Sequence, residues 1–241
     1  MVVSENGERI AIFNIRTAEE LAGLAKLVRN GNNMKNTMIN LVSDVTLNDT
    51  TNFDNWDEQP PANNWTAIGA VPIEAPNVNV VMTIQPECRN TVFAGMFNGN
   101  GHTISGMYSL HHNYAGLFAR TSGIITNVIV KDSYIQCINT QKVESGDTAL
   151  WEACAGGITA ICDRGVISHC EFDGKIFASG LNQVGYGTHG SFAGGIVGKF
   201  SDDESGVAAV VMMFALVPAG FLINPALFLT ASGQQLSLIH I

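Results

Sequence analysis

Five acids in the second half of the chain, Asp132, Asp147, Asp163, Glu171 and Asp173, each sit beside a glycine or a turn signal. Hydrolysis of a glycosidic bond needs two such carboxylates on neighbouring segments, one acting as acid and one as base. Acids at polar turns are more often solvated, and these five are read as turn acids. Two of them within about 10 Å in a cleft, near the inverting separation, would reopen the catalytic reading. Asp202-Asp203-Glu204 is a second acidic group with charge suited to calcium, but it lacks the glycine–aspartate nonapeptide of calcium-binding β-rolls. It too is read as a solvated turn. His102, His111, His112, His169 and His189 show no metal-ligand spacing. No catalytic, cofactor-binding or metal residue is therefore assigned, and the chain is read as a non-enzyme with no cofactor.

The other reactive residues point the same way. Cys88, Cys137, Cys154, Cys162 and Cys170 contain no C-x-x-C pair, which removes the zinc-knuckle and redox readings and leaves small buried apolar side chains. The glycine-rich stretch Phe97-Asn98-Gly99-Asn100-Gly101-His102 is no phosphate loop, since it lacks G-K-[ST] and no helical run follows. Its Asn-Gly alternation instead suits a tight turn with positive φ. Trp56 and Trp65 lie in a polar, proline-containing loop over 48–66. They could stack on a sugar ring; anchoring the loop by burial is the expected use.

Composition bounds the partners. The chain has 241 residues and a formal charge of -9, which argues against a nucleic-acid backbone binder. With 14% charged residues and 25 glycines it reads as all-β and turn-rich rather than helical. All the charged residues, 12 basic and 21 acidic, precede Gly206. Two regions follow: a module over 1–205 and a doubtful apolar tail over 206–241.

Within the module, Arg9–Ile15 alternates as a strand. Thr17 then opens a helix over about 17–30, with Glu20 completing a capping box, Leu21, Leu24, Leu27 and Val28 forming one stripe, and Asn30-Gly31 ending it. Short strands are expected over 38–42 and 45–47. Farther on, Ala115-Gly116-Leu117-Phe118-Ala119 matches Gly156-Gly157-Ile158-Thr159-Ala160 and Gly194-Gly195-Ile196-Val197-Gly198, at spacings of 41 and 38 residues. A second strand follows the first two units, over 123–130 and 165–172. Short apolar strands, glycine corners and a loose period indicate a solenoid of parallel strands stacking Ile, Leu, Val and Phe inward.

At these residues the chain resembles the GLUG-motif family of bacterial surface proteins. The matching pieces are T-A-E-E-L-A-G-L-A-K-L-V-R-N-G-N, D-V-T-L-N-D-T, N-W-T-A-I-G, M-F-N-G-N-G-H-T-I-S-G-M-Y, A-G-L-F-A and G-G-I-V-G, in the family's order from about residue 12 to residue 200. The resemblance implies a right-handed parallel β-helix whose open end is capped by the N-terminal helix. It also implies a secreted or surface-anchored protein, of a kind that includes adhesins and some immunoglobulin-cleaving metallopeptidases. Peptidase activity there belongs to a separate H-E-x-x-H domain. This chain has no H-E-x-x-H, so no such activity carries over.

The repeat fails after Ser205, where the pattern predicts G-x-I-x-N-C and the chain reads Gly206-Val207-Ala208-Ala209-Val210-Val211. Three readings of the tail stand open. Residues 207–231 are long enough to span a bilayer, but Pro218, Asn224 and Pro225 interrupt them and no Lys or Arg follows. They could also continue the buried strands. The third reading is a frame slip or non-native sequence. Leu236-Ser237-Leu238-Ile239-His240-Ile241 is what CTG TCT CTT ATA CAC ATC encodes, which resembles a transposase adaptor used in preparing sequencing libraries, and this favours the third reading. No secretory leader follows Met1, which fits a surface protein only if the chain is an internal fragment.

The expectation is a non-catalytic structural or adhesive β-helix module of a bacterial cell-surface or secreted protein, with glycans or proteins as partners and no nucleic acid. The competing expectation is a carbohydrate-active β-helix enzyme or glycan-binding accessory module.

Overall fold

The computed structural model describes residues 2–3, 9–70, 91–139, 152–180, 191–201 and 211–212. Strand β1 (Val2–Val3) lies antiparallel to β2 (Arg9–Ile15), and every other strand pairing among the described residues is parallel. After β2 the chain forms α1 (Ala18–Arg29) and then β3 (Thr37–Leu41) and β4 (Val45–Thr46). Three further passes follow. The first holds β5 (Met96–Asn98), β6 (Thr103–Ser105), β7 (Tyr108–His111), β8 (Tyr114–Ala115) and β9 (Phe118–Thr121). The next holds β10 (Ile124–Thr126), β11 (Ile129–Asn139), β12 (Ala153–Gly156) and β13 (Thr159–Asp163). The last holds β14 (Val166–Ser168), β15 (Glu171–Gly180), β16 (Ser191–Gly194) and β17 (Val197–Ser201), before the short β18 (Val211–Met212).

Each pass lays its strands beside the equivalent strands of the pass before. One sheet runs β1-β2-β3-β5-β10-β14-β18 and a second β15-β11-β6-β4, with β7 also on β11. Two three-stranded sheets run β16-β12-β8 and β17-β13-β9. Among the described residues the fold is thus all-β, with parallel sheets and one α-helix. Parallel strands buried on one side read as rows of apolar residues across the passes. Ile39, Phe97, Ile125 and Ile167 form one such row in register, and Val45, Ile104, Val130 and Phe172 another. Both rows join the main core.

The helix forms where its local signals lie. Thr17 Oγ1 accepts from the Glu20 amide at 3.3 Å, and Gly31 leaves the helix at φ +97°. Two details differ from the expected helix. The Glu20 carboxylate takes the amide of Arg16 rather than that of Thr17. Leu27 is half exposed, and Ala25 joins Leu21, Leu24 and Val28 on the buried face. Leu21, Leu24, Ala25 and Val28 of α1 belong to the same buried cluster as Ile39, Phe97 and Ile125 of the strands.

The strands expected over 123–130 and 165–172 are each broken in two. Asn127 (φ +54°) and His169 (φ +53°) take left-handed conformations and turn the chain from one sheet to the next. Their side-chain neighbours stack polar groups along that corner: Thr126 and Ser168 hydroxyls lie 3.1 Å apart, and Asn127 Nδ2 donates to Asn98 Oδ1. The glycine units mark a second corner. Ala115, Ala155 and Ala193 share one register, as do Phe118, Thr159 and Val197 beyond it. Gly116 and Leu117 fill the corner in the first unit, whereas the later units place Gly156-Gly157-Ile158 and Gly194-Gly195-Ile196 there. The spacing of 41 therefore holds on the β9–β13 side of the corner and shortens by one on the β8–β12 side.

The tail over 206–241 lies outside the described residues, apart from Val211–Met212, which pair parallel with Ile167 and Ser168. Membrane association of 207–231 falls there too. No helix among the described residues is long and apolar enough to cross a membrane.

Candidate functional site

The loop over 48–66 is folded onto the face of the second sheet and is held at its base, its first turn and its two tryptophans. Asn48, buried, donates through Nδ2 to the Asn63 and Gly106 carbonyls at 3.0 and 2.9 Å and accepts from the Asn63 amide. That clamps the base. Asp49 Oδ1 accepts from the Thr51 amide and hydroxyl, an Asx turn that starts the loop. A 3-10 turn, Phe53–Asn55, then delivers Trp56.

Both tryptophans are buried, 2% and 7% exposed, as loop anchors rather than open stacking platforms. They anchor at different places. Trp65 enters the main core and donates its indole N–H to the Leu117 carbonyl. Trp56 meets Phe53 and Tyr108 edge-on, with ring centroids 5.3 and 6.1 Å apart, and Tyr108 stacks on Tyr134 at 5.6 Å. Tyr134 in turn meets the half-exposed Phe177 at 5.4 Å. From the last pass, Lys175 Nζ donates to the Asp54 carbonyl at 2.8 Å and sits over the Phe53 ring.

Between this loop and β4 lies an open cleft of about 670 Å³, walled by Asp49, Asn52, Trp56, Gln59, Pro60 and Asn63 among others. Its polar surface is neutral except for Asp49, whose carboxyl is held below the usual range by hydrogen bonds from the Thr51 side chain and backbone. Asn52 Nδ2 donates to Gln59 Oε1 at 3.2 Å. This leaves Asp49 Oδ2, Gln59 Nε2 and Asn63 Oδ1 without protein partners among the described residues.

The expected turn acids lie elsewhere. Asp163, on β13, takes Arg120 Nε and Nη2 on a single oxygen at 2.9 and 2.7 Å, and its other oxygen is buried without a partner. Nearby, Glu152 binds Lys199 through both oxygens, and Tyr114 is pushed up to about 12 by burial. Glu171 lies 3.8 Å from Lys131. A bulge in β11 sets Lys131 and Asp132, the latter at φ +46°, opposite Asp173 on β15, with both aspartates exposed on a strand surface rather than in the cleft. His102 Nδ1 lies 3.1 Å from Asp44, and His112 Nδ1 lies 3.0 Å from the Ile138 carbonyl. Asp147, His189, Cys88 and the Asp202-Asp203-Glu204 cluster lie outside the described residues. Among the described residues no three metal-binding side chains converge. Sequence reasoning misses the cleft residues; the D-x-T spacing of Asp49 and Thr51, which marks the turn at the start of the loop, is the signal that could have found them.

The thiols behave as core. Cys137, Cys154 and Cys162 are buried and Cys170 is half-buried, with none in a disulfide. Burial pushes Cys137 up to about 12 and Cys162 and Cys170 up to about 11, and raises Cys154 as well. Iodoacetamide at about pH 8 is expected to leave Cys137, Cys154 and Cys162 unlabelled in the native protein and to label all three in denaturant, as read by peptide mass spectrometry. Because these folded values exceed the unfolded value near 9, stability is full below about pH 9 and falls as pH rises through 11 to 12. Rapid native labelling would contradict the buried placement.

No family model, curated protein or solved structure matches the chain.

Proposed function

We propose that the chain is a right-handed parallel β-helix module of GLUG type, capped by α1, that serves a bacterial cell-surface or secreted protein as a non-catalytic structural or adhesive element. The observation that carries this reading is the register row Met38, Met96, Ile124 and Val166, in which strands of successive passes pair in parallel with no slip. A stacked parallel array is a rigid rod that displays side chains at fixed spacing on its outer faces, which suits a stalk or an adhesive surface. The motifs quoted above support the family; the surface location follows from that resemblance.

The non-catalytic part rests on the placement of the acids. The cleft has one carboxylate, Asp49, while Asp163 is tied to Arg120 and Asp132 and Asp173 lie on an open strand surface. Incubation of the chain with a panel of plant and host glycans, followed by product analysis, tests this. Unchanged glycans are expected, and released products would overturn it.

A further inference from the structure

We propose that the cleft between β4 and the loop over 49–63 is a binding site for a neutral carbohydrate, held through its ring hydroxyls. This rests on the reading of the module as adhesive and non-catalytic, and gives that reading a place on the surface and a class of ligand. Four observations converge on it. First, the cleft has a volume of about 670 Å³, within the range of small-ligand sites, and it is open to solvent.

Second, the charge is wrong for an acidic ligand. Among the described residues the lining contains no Lys, Arg or His and its one ionised group is Asp49; the chain carries a formal charge of -9. Phosphate, sulfate and uronate groups would meet repulsion from Asp49 with no cation among the described lining residues to offset it. Lys175 is held on Asp54 and the Phe53 ring, outside that lining. Third, the unpartnered atoms form a mixed set: Asp49 Oδ2 and Asn63 Oδ1 accept, and Gln59 Nε2 donates. A hydroxyl both donates and accepts, so neighbouring hydroxyls on a sugar ring match a set that neither a purely cationic nor a purely apolar ligand could satisfy. The adjoining surface of Pro60, Pro61 and Ala62 offers an apolar wall for the C–H face of the ring.

Fourth, the site is already ordered. The Asn48–Asn63 clamp, the Thr51–Asp49 turn and the burial of Trp56 against Tyr108 fix the loop before any ligand arrives. Little conformational freedom is then lost on binding.

The test is calorimetric titration of the full chain with neutral oligosaccharides of glucose, galactose and mannose, and with heparin as the acidic comparison. Asp49→Asn keeps the acceptor for Thr51 while removing the charge, and Gln59→Ala removes the free donor. Each is expected to weaken binding of the preferred neutral oligosaccharide by about tenfold. Lys26→Ala, on the exposed side of α1 and outside the cleft lining, is expected to bind as the parent does. Thermal unfolding of each variant checks that the loop remains folded. No binding across the neutral panel, stronger binding of heparin, or neutral-glycan binding unchanged in both cleft variants would overturn the assignment. Products are analysed in the same samples. Cleavage of the glycan with binding lost in the variants would keep the cleft assignment and overturn the non-catalytic reading, whereas intact glycan with unaffected variants would do the reverse.

Discussion

Phe118→Ala is expected to lower the free energy of unfolding by about 3–5 kcal/mol, seen as a lower urea midpoint with an unchanged slope. The side chain is fully buried, and its ring lies 4.9 Å from that of Phe93 and 5.4 Å from that of Phe97. Those partners arrive from different segments, Phe97 on β5 and Phe93 from the stretch that bridges to Thr121. Removing the ring would leave a cavity that parallel strands, fixed in register on both sides, can close only partly. The main chain at Phe118 also bridges Ile68 and pairs with Thr159, so the residue joins the loop's return to the next pass. A loss below about 1 kcal/mol would show that this aromatic group is not packed as described.

Gly156→Ala is the second large effect, with an expected loss of about 3 kcal/mol. A Cβ at this position would stand 2.0 Å from the Thr159 carbonyl oxygen and 2.7 Å from the Gly198 nitrogen. Both are backbone atoms, and the second belongs to the following pass, so no flexible side chain can move aside. A Cβ added at Gly23 in α1 would meet nothing within 4 Å, and there the substitution is expected to stabilise by about 0.5–1 kcal/mol through helix propensity and reduced freedom of the unfolded chain. The opposite signs separate a packing requirement from a general property of glycine. Chemical denaturation of the two variants beside the parent measures both, and equal effects would contradict the tight corner.

The elements legible in the sequence are those whose causes are local. Thr17, Glu20 and Gly31 mark α1 because caps and stops act within a turn of the helix. The glycine units at 116, 156 and 194 are legible because the corner recurs in every pass. Leu27 departs from its expected place because spacing alone assigns it to the stripe, while Ala25 takes the buried position and Leu27 is left half exposed. The breaks at Asn127 and His169 are hidden because apolar alternation continues across them and a left-handed residue other than glycine leaves no trace in the pattern.

The candidate site is legible only in outline. The long loop and its two tryptophans stand out in the sequence, but what Trp56 packs against does not: Tyr108 and Tyr134 belong to two later passes and meet it only through strand register. The Arg120–Asp163 pair is hidden in the same way, 43 residues apart in the chain and adjacent across β9 and β13. Of the acids singled out for chemistry, Asp163 and Glu171 have cationic partners, and the cleft acid Asp49 is not among them.

The central claim is that successive passes stack in parallel and in register, and a disulfide trap tests it most directly. Ile124 and Val166 are register partners on β10 and β14, and both side chains are exposed. Neighbouring strands lie about 4.8 Å apart, within the Cα separation that a disulfide bridges. The double variant Ile124→Cys with Val166→Cys should therefore close an intramolecular disulfide on mild oxidation, identified by peptide mapping. Ile124→Cys with Ser168→Cys, two residues out of register, should remain reduced. Failure of the first pair to close, or equal closure of both, would contradict the stacked parallel arrangement.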